Sequence, residues 1–137
     1  MKKFKIKVLV VMILLIGVVI SCTTQKTGNK KINITGNWLW MESMGGIAGV
    51  TRTPESTGKI MNLQITKDSI HYYENGELKN SVPYKLSYGK LMLSNEPSWY
   101  IGDSMSKTGI TRRDSLLILT EDCFDCFTHK YSKMKEK

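Results

Sequence analysis

The sequence is poor in the residue types that most enzymes use for chemistry. Its 137 residues include only two histidines and three cysteines. Neither His71 nor His129 lies in a motif with a nucleophile, no pair of carboxylates stands at a fixed spacing, and no serine has the context of a nucleophile elbow. The sequence therefore predicts a protein that is not an enzyme, without catalytic residues and without a cofactor. A triad assembled from distant positions is left open.

A phosphate-binding loop is also absent. The glycine-rich segment Gly45–Lys59 lacks the Gly-Lys-Ser/Thr ending of such loops, as well as their strand-to-helix setting. Long loops often carry binding residues, so this segment is either a lid over a binding site or a flexible cover with no binding role.

No apolar run reaches the roughly 20 residues that a transmembrane helix needs. The longest, residues 8–20, has 13 residues and follows four lysines within the first seven positions. A basic start and a run of this length are typical of a signal peptide. The run ends in Val19-Ile20-Ser21-Cys22, which resembles the lipobox of bacterial lipoproteins. The resemblance implies a signal helix removed after Ser21, and a membrane anchor of diacylglyceryl and palmitate-like chains on Cys22.

The residues after Cys22 predict a flexible tether, because positions 23–31 contain no apolar residue. The predicted organisation is a signal peptide over 1–21, a lipidated tether over 22–31 and a folded domain over 32–134. Thr23 replaces the Asp that marks inner-membrane retention in enteric bacteria, and no acidic cluster follows. We therefore expect a lipid-anchored protein of the outer membrane that faces the periplasm, with exposure at the cell surface left open.

The basic charge lies at the two ends of the chain. The formal net charge is +8, but four of the 20 basic residues belong to the signal peptide. Residues 32–131 contain 10 basic and 11 acidic side chains. A nearly neutral domain disfavours nucleic acid as a partner, whereas basic ends suit an anionic membrane surface.

Alternation of apolar and polar residues dominates the domain and predicts an all-β fold. Asn75-Gly76 is a hairpin signal, and Pro83 indicates a sheet edge or a bulge. Eight short strands joined by tight turns predict an eight-stranded antiparallel up-and-down barrel, whose closure would leave no exposed edge. The predicted strands are 37–43, 59–66, 69–74, 81–88, 91–94, 98–104, 115–121 and 127–133.

Six aromatic residues are expected on the inward face of this barrel. They are a candidate ligand-binding set, because binding cavities combine apolar walls with a few polar groups such as phenols. The alternative is a packed core with Trp38 closing one end. The six residues are Trp38, Trp40, Tyr72, Tyr84, Trp99 and Tyr131.

Gly36-x-Trp38 at the start of the first strand is similar to the lipocalin signature. Together with the Tyr-rich strands and the lipobox, it resembles the small lipocalin-like lipoproteins of Bacteroidetes-type bacteria. The resemblance covers about residues 32–131 and implies a lipocalin-like barrel. Two functions are expected: binding of a small apolar or amphipathic ligand, or interaction with an envelope protein, as an accessory subunit, an inhibitor or an immunity protein.

Cys123-x-x-Cys126 leaves several interpretations open. Covalent haem is excluded because Phe127, not His, follows Cys126. A thioredoxin-like pair needs a helix start, and zinc needs a fourth ligand besides His129, such as His71 or Asp125. Export places the domain in an oxidising compartment where thiols pair. We therefore expect a disulfide and no metal, with free thiols, zinc and redox catalysis as alternatives.

Overall fold

The computed structural model describes residues 31–135. The predicted signal peptide, Cys22 and all of the predicted tether except Lys31 lie outside the described residues. Within them, no helix is long and apolar enough to span a membrane.

The described residues form ten strands and one short helix, α1. In chain order these are β1 (Gly36–Gly45), β2 (Val50–Arg52), α1 (Pro54–Thr57), β3 (Met61–Ile65), β4 (Ser69–Glu74), β5 (Glu77–Pro83), β6 (Leu86–Gly89), β7 (Ser98–Gly102), β8 (Lys107–Arg113), β9 (Leu116–Glu121) and β10 (Phe127–Lys133).

The fold is all-β, as predicted, but the sheet is a curled half-barrel and not an eight-stranded closed barrel. Nine strands follow one another in the order β5-β4-β3-β1-β10-β9-β8-β7-β6, every neighbouring pair is antiparallel, and β2 pairs with β1. Within the described part of the chain, the end strands β5 and β6 do not pair with each other. We call the gap between them the seam.

The seam arises where one continuous strand was predicted over 81–88. β5 ends at Pro83, which has no N–H to continue the ladder. The next residue, Tyr84, bonds to the β3–β4 turn: its backbone N–H donates to the Asp68 carbonyl at 2.8 Å and its phenol donates to the Thr66 carbonyl at 2.9 Å. These bonds hold Tyr84 at that turn, and after Lys85 the chain enters β6, which pairs with β7 at the opposite edge of the sheet.

Two further strand predictions are corrected by the structure. Residues 91–94 form a loop, because the Asp122 carboxylate accepts the backbone N–H groups of Met92 and Leu93 at 2.7 and 3.1 Å. Conversely, β8 was not predicted and pairs with β7 and β9.

Several local predictions are confirmed. β4 and β10 have the predicted bounds, Asn75 and Gly76 both have positive φ angles in the β4–β5 turn, and Pro83 lies on an edge strand. The segment Gly45–Lys59 is more ordered than expected, because it contains β2 and α1, with a reciprocal cap between Thr53 and Ser56.

The core lies on the concave side of the sheet. Trp38 is fully buried, and its indole N–H donates to the Ile34 carbonyl at 2.8 Å. Around it pack the other buried apolar residues: Ile34, Trp40, Leu63, Ile65, Ile70, Ile101, Ile110, Leu117, Leu119 and Tyr131.

A β-bulge in β1 changes which side chains face this core. Trp40 pairs with Tyr131, but the next pairing is Glu42 with Lys130, so β1 has one extra residue at this point. As a result Ser43 faces inward and is 5% exposed. Glu42 faces the outer surface, where its carboxylate binds the Lys130 ammonium at 2.5 Å.

Candidate functional site

A cavity of about 570 Å³ opens at one end of the half-barrel. Its walls come from the inner faces of the sheet and from the segment after β1. Of the six predicted ligand-binding aromatics, it brings together Trp40, Tyr72 and Tyr131. The lining residues are Trp40, Ser43, Arg52, Thr57, Lys59, Met61, Tyr72, Ile101, Thr108, Leu119, Glu121, Phe127, His129 and Tyr131. We call this space the main cavity.

A smaller cavity of about 340 Å³ lies at the seam. Residues 82–85 line it on one side of the seam, and Gly102 and Asp103 line it on the other. Tyr84, one of the six predicted ligand-binding aromatics, is thus a lining residue of this cavity. Tyr72, Ile101 and Thr108 line both this cavity and the main cavity. The seam cavity and the main cavity are therefore neighbours that share three lining side chains.

The remaining two predicted aromatics line neither of these cavities. Trp38 is part of the core, and the Arg112 guanidinium lies 5.7 Å from the centre of its ring system. Trp99 is half-buried against the core and makes an edge-to-face contact with Tyr88, with ring centres 5.3 Å apart.

A chain of four polar groups runs along one wall of the main cavity. The Trp40 indole N–H donates to Ser43 Oγ at 2.8 Å, and Ser43 Oγ lies 2.7 Å from His129 Nδ1. His129 Nε2 lies 3.4 Å from Glu121 Oε1. We assign the Ser43 hydroxyl as donor to Nδ1 and the His129 Nε2–H as donor to Glu121, because this direction gives every group a partner. We call these four residues the polar chain.

The polar chain contains the residue types of a catalytic triad, but its geometry favours a fixed wall. Ser43 is almost fully buried, and its oxygen already accepts the Trp40 N–H at one lone pair. Glu121 is held at its other oxygen too, because Oε2 accepts the Phe127 backbone N–H at 3.0 Å. With its donors satisfied internally, the chain orients Trp40 and His129 toward the cavity.

Besides two tyrosines, four ionisable side chains line the main cavity: Arg52, Lys59, Glu121 and His129. Glu121 and His129 face each other in the polar chain, and the Lys59 ammonium binds the Glu74 carboxylate at 3.0 Å. Arg52 makes no salt bridge within residues 31–135; its guanidinium lies 5.0 Å from the centre of the Phe127 ring, in a cation–π contact.

The two tyrosines of the main cavity are less acidic than free tyrosine. Burial is the largest cause that raises the pKa of Tyr131, and the neighbouring Tyr72 and Glu121 raise it further. Burial also raises the pKa of Tyr72. Both phenols therefore stay protonated at neutral pH and are able to donate a hydrogen bond.

The predicted cysteine pair lies in the β9–β10 turn, between the cavity-lining residues Glu121 and Phe127. The sulfurs of Cys123 and Cys126 are at disulfide bonding distance, with their Cα atoms 5.5 Å apart. Gly45 lets β1 approach this turn, because a Cβ at position 45 would overlap the Cys126 carbonyl oxygen. Glu121 and the two cysteines place ligand atoms within 4.8 Å of one another, but paired sulfurs do not offer the thiolates that zinc binds.

Phe127, His129 and Tyr131 alternate along β10, and all three line the main cavity. Sequence reasoning did not identify Ser43, Glu121 or Arg52 as cavity residues. Strict alternation points Ser43 outward when Trp38 and Trp40 point inward, and no sequence signal marks the bulge that turns it. In comparisons with known proteins, no family model, no curated protein and no solved structure matches the chain.

Proposed function

We propose that this protein is a membrane-anchored bacterial lipoprotein whose lipocalin-like domain binds a small apolar or amphipathic ligand without catalysing a reaction. The main cavity carries the proposal. Its volume of about 570 Å³ falls within the range of about 300–1,000 Å³ of small-molecule sites. Apolar and aromatic side chains such as Trp40, Met61 and Leu119 form its walls, and a few polar groups are placed among them.

The membrane anchor is part of the same proposal and rests on the sequence. Cys22 follows a lipobox-like segment, and acyl chains on it would keep the domain at the outer membrane, facing the periplasm or the cell surface. A ligand-binding domain held there has access to molecules that leave or enter the bilayer.

A binding assay with the neutral fluorophore N-phenyl-1-naphthylamine tests the cavity. We expect saturable fluorescence enhancement with the wild-type domain. Met61→Trp should weaken binding by about tenfold or more, because the added ring occupies volume that the probe needs. The matched control is Met41→Trp, since Met41 lies on the outer face of β1 and is 47% exposed. Equal binding by both variants, or no saturable binding by the wild type, would contradict the proposal.

A protein-interaction module is the second candidate, and an exposed apolar cluster favours it. Met92 and Met105 are 62% and 95% exposed, and they lie around a shallow pocket together with Lys90 and Lys107. Exposed apolar groups rimmed by charge are typical of protein-binding surfaces. Native mass spectrometry of protein purified from its own host separates the two candidates: a retained small molecule supports ligand binding, and a stoichiometric protein that is lost with Met92→Asp supports the second.

A further inference from the structure

Two tyrosine hydroxyls in the main cavity have no protein partner. Tyr131 is only 7% exposed, and Tyr72 is partly buried on β4. Within residues 31–135 neither phenol oxygen makes a hydrogen bond, and neither is sealed away from the cavity. Because both hydroxyls remain accessible, each can donate a hydrogen bond to an acceptor that enters the cavity.

Two of the four other tyrosines have a protein partner. The phenol of Tyr73, the neighbour of Tyr72 on the outer face of β4, donates to Gln64 Oε1 at 3.3 Å. The phenol of Tyr84 donates to the Thr66 carbonyl at 2.9 Å.

Tyr88 and Tyr100 also make no hydrogen bond through the phenol within residues 31–135, but they do not line the main cavity: Tyr88 is 41% exposed, and the Tyr100 ring centre lies 5.0 Å from the Lys107 ammonium. Tyr72 and Tyr131 differ from them in lining the main cavity, where a bound molecule can accept their hydrogen bonds.

The charges around the two phenols favour an uncharged partner. Glu121 lies close enough to Tyr131 to disfavour a second negative charge beside it. The Glu121 carboxylate already accepts hydrogen bonds from His129 and from the Phe127 backbone N–H. The positive groups that line the cavity are Lys59, which is paired with Glu74, and Arg52, which lies on exposed β2 at the rim. An anion would thus be attracted to the rim and not to the phenols.

We propose that Tyr72 and Tyr131 form a polar subsite that donates hydrogen bonds to an uncharged oxygen acceptor, such as an ester carbonyl, on an otherwise apolar ligand. The subsite rests on the proposed ligand-binding function and adds the chemical class of the ligand. The apolar body of the ligand packs against Trp40, Ile101 and Leu119, which line the same cavity.

Competition against N-phenyl-1-naphthylamine tests the subsite. The competitors are methyl decanoate and decanoate, which share an acyl chain but differ in charge, in buffer where the acid is ionised. We expect the ester to displace the probe from the wild-type domain at lower concentration than the carboxylate. In the double variant Tyr72→Phe with Tyr131→Phe, displacement by the ester should weaken by about three- to tenfold per lost hydrogen bond, while the probe still binds.

The control is Tyr73→Phe, which removes a phenol from the outer face of the same strand and should leave displacement unchanged. Tighter competition by decanoate, or equal competition by the ester in the wild type and the double variant, would overturn the subsite while leaving ligand binding intact. If neither the probe nor a competitor binds the wild-type domain, both the subsite and the proposed function are wrong.

Discussion

At position 43 a serine hydroxyl occupies the inward place that strict alternation along β1 would give to Glu42. The bulge after Trp40 places Ser43, instead of Glu42, on the inward face of β1. A carboxylate at that place would lie beside buried apolar rings at a large desolvation cost, whereas the hydroxyl accepts the Trp40 N–H and reaches His129. One extra residue in a strand therefore keeps Glu42 in solvent and completes the polar chain.

Ser43→Ala should lower the free energy of unfolding by about 1–3 kcal/mol, because the buried Trp40 N–H loses its acceptor. Chemical denaturation followed by tryptophan fluorescence measures the change. Ser81→Ala is the matched control: Ser81 makes a similar hydrogen bond to His71 Nδ1 at 2.8 Å, but in solvent, so its loss should cost less than about 0.5 kcal/mol. Equal losses in the two variants would show that the polar chain does not stabilise the fold.

Among the elements, the bounds of a strand were predictable where apolar and polar residues alternate strictly and turn residues flank the segment on both sides. β4 and β10 have the predicted bounds because each is flanked by turn residues and has one apolar face. The prediction over 81–88 was wrong because two long-range hydrogen bonds from Tyr84 outweigh a continuous local pattern. Likewise, Asp122 holds residues 92 and 93 in a loop from 30 and 29 positions away, respectively. Such bonds carry no signal in the local sequence.

The same limit applies to the candidate site. Three of the six aromatics predicted to face inward, Trp40, Tyr72 and Tyr131, line the main cavity. Trp38 lies on the same face of β1 as Trp40 and both are buried in the core, yet of the two only Trp40 also lines the main cavity. Alternation predicts which face of the sheet a residue lies on, but not how far along the strand a cavity extends.

At the scale of elements, the testable prediction concerns the disulfide in the β9–β10 turn. We expect alkylation of the denatured, unreduced protein to modify neither Cys123 nor Cys126, and to modify both after reduction. Replacing both by serine should lower the free energy of unfolding by about 2 kcal/mol, the value that chain entropy gives for so short a loop. Mass spectrometry and chemical denaturation are the measurements. Alkylation of both thiols without a reductant would rule out the disulfide.

At the scale of the whole molecule, the distribution of charge and the N-terminal segment bear on where the protein acts. Residues 32–131 are almost neutral, and the excess of basic side chains lies in residues 22–31 and 132–137. Each basic residue close to an anionic membrane surface contributes about 1 kcal/mol of attraction. This attraction is weak compared with acyl chains, so the proposed anchor at Cys22 would dominate membrane residence.

Cys22→Ala should therefore move the protein expressed in a bacterial host from the detergent phase to the aqueous phase in a phase-separation experiment. Cys123→Ser is the control, because it removes a cysteine outside the lipobox-like segment and should leave partitioning unchanged. Detergent partitioning that persists in Cys22→Ala would contradict the anchor.

The seam between β5 and β6 has a consequence for the size of molecule that the interior accepts. A closed cylinder of strands has a fixed circumference, because widening it breaks a complete ladder of backbone hydrogen bonds. In this sheet the edges at Pro83 and Leu86 are joined through Tyr84 and Lys85 and not by a ladder. The sheet can therefore bend and change the width of the interior while every strand pairing stays intact. The curvature of the sheet, and not the number of strands, sets the width available to a ligand.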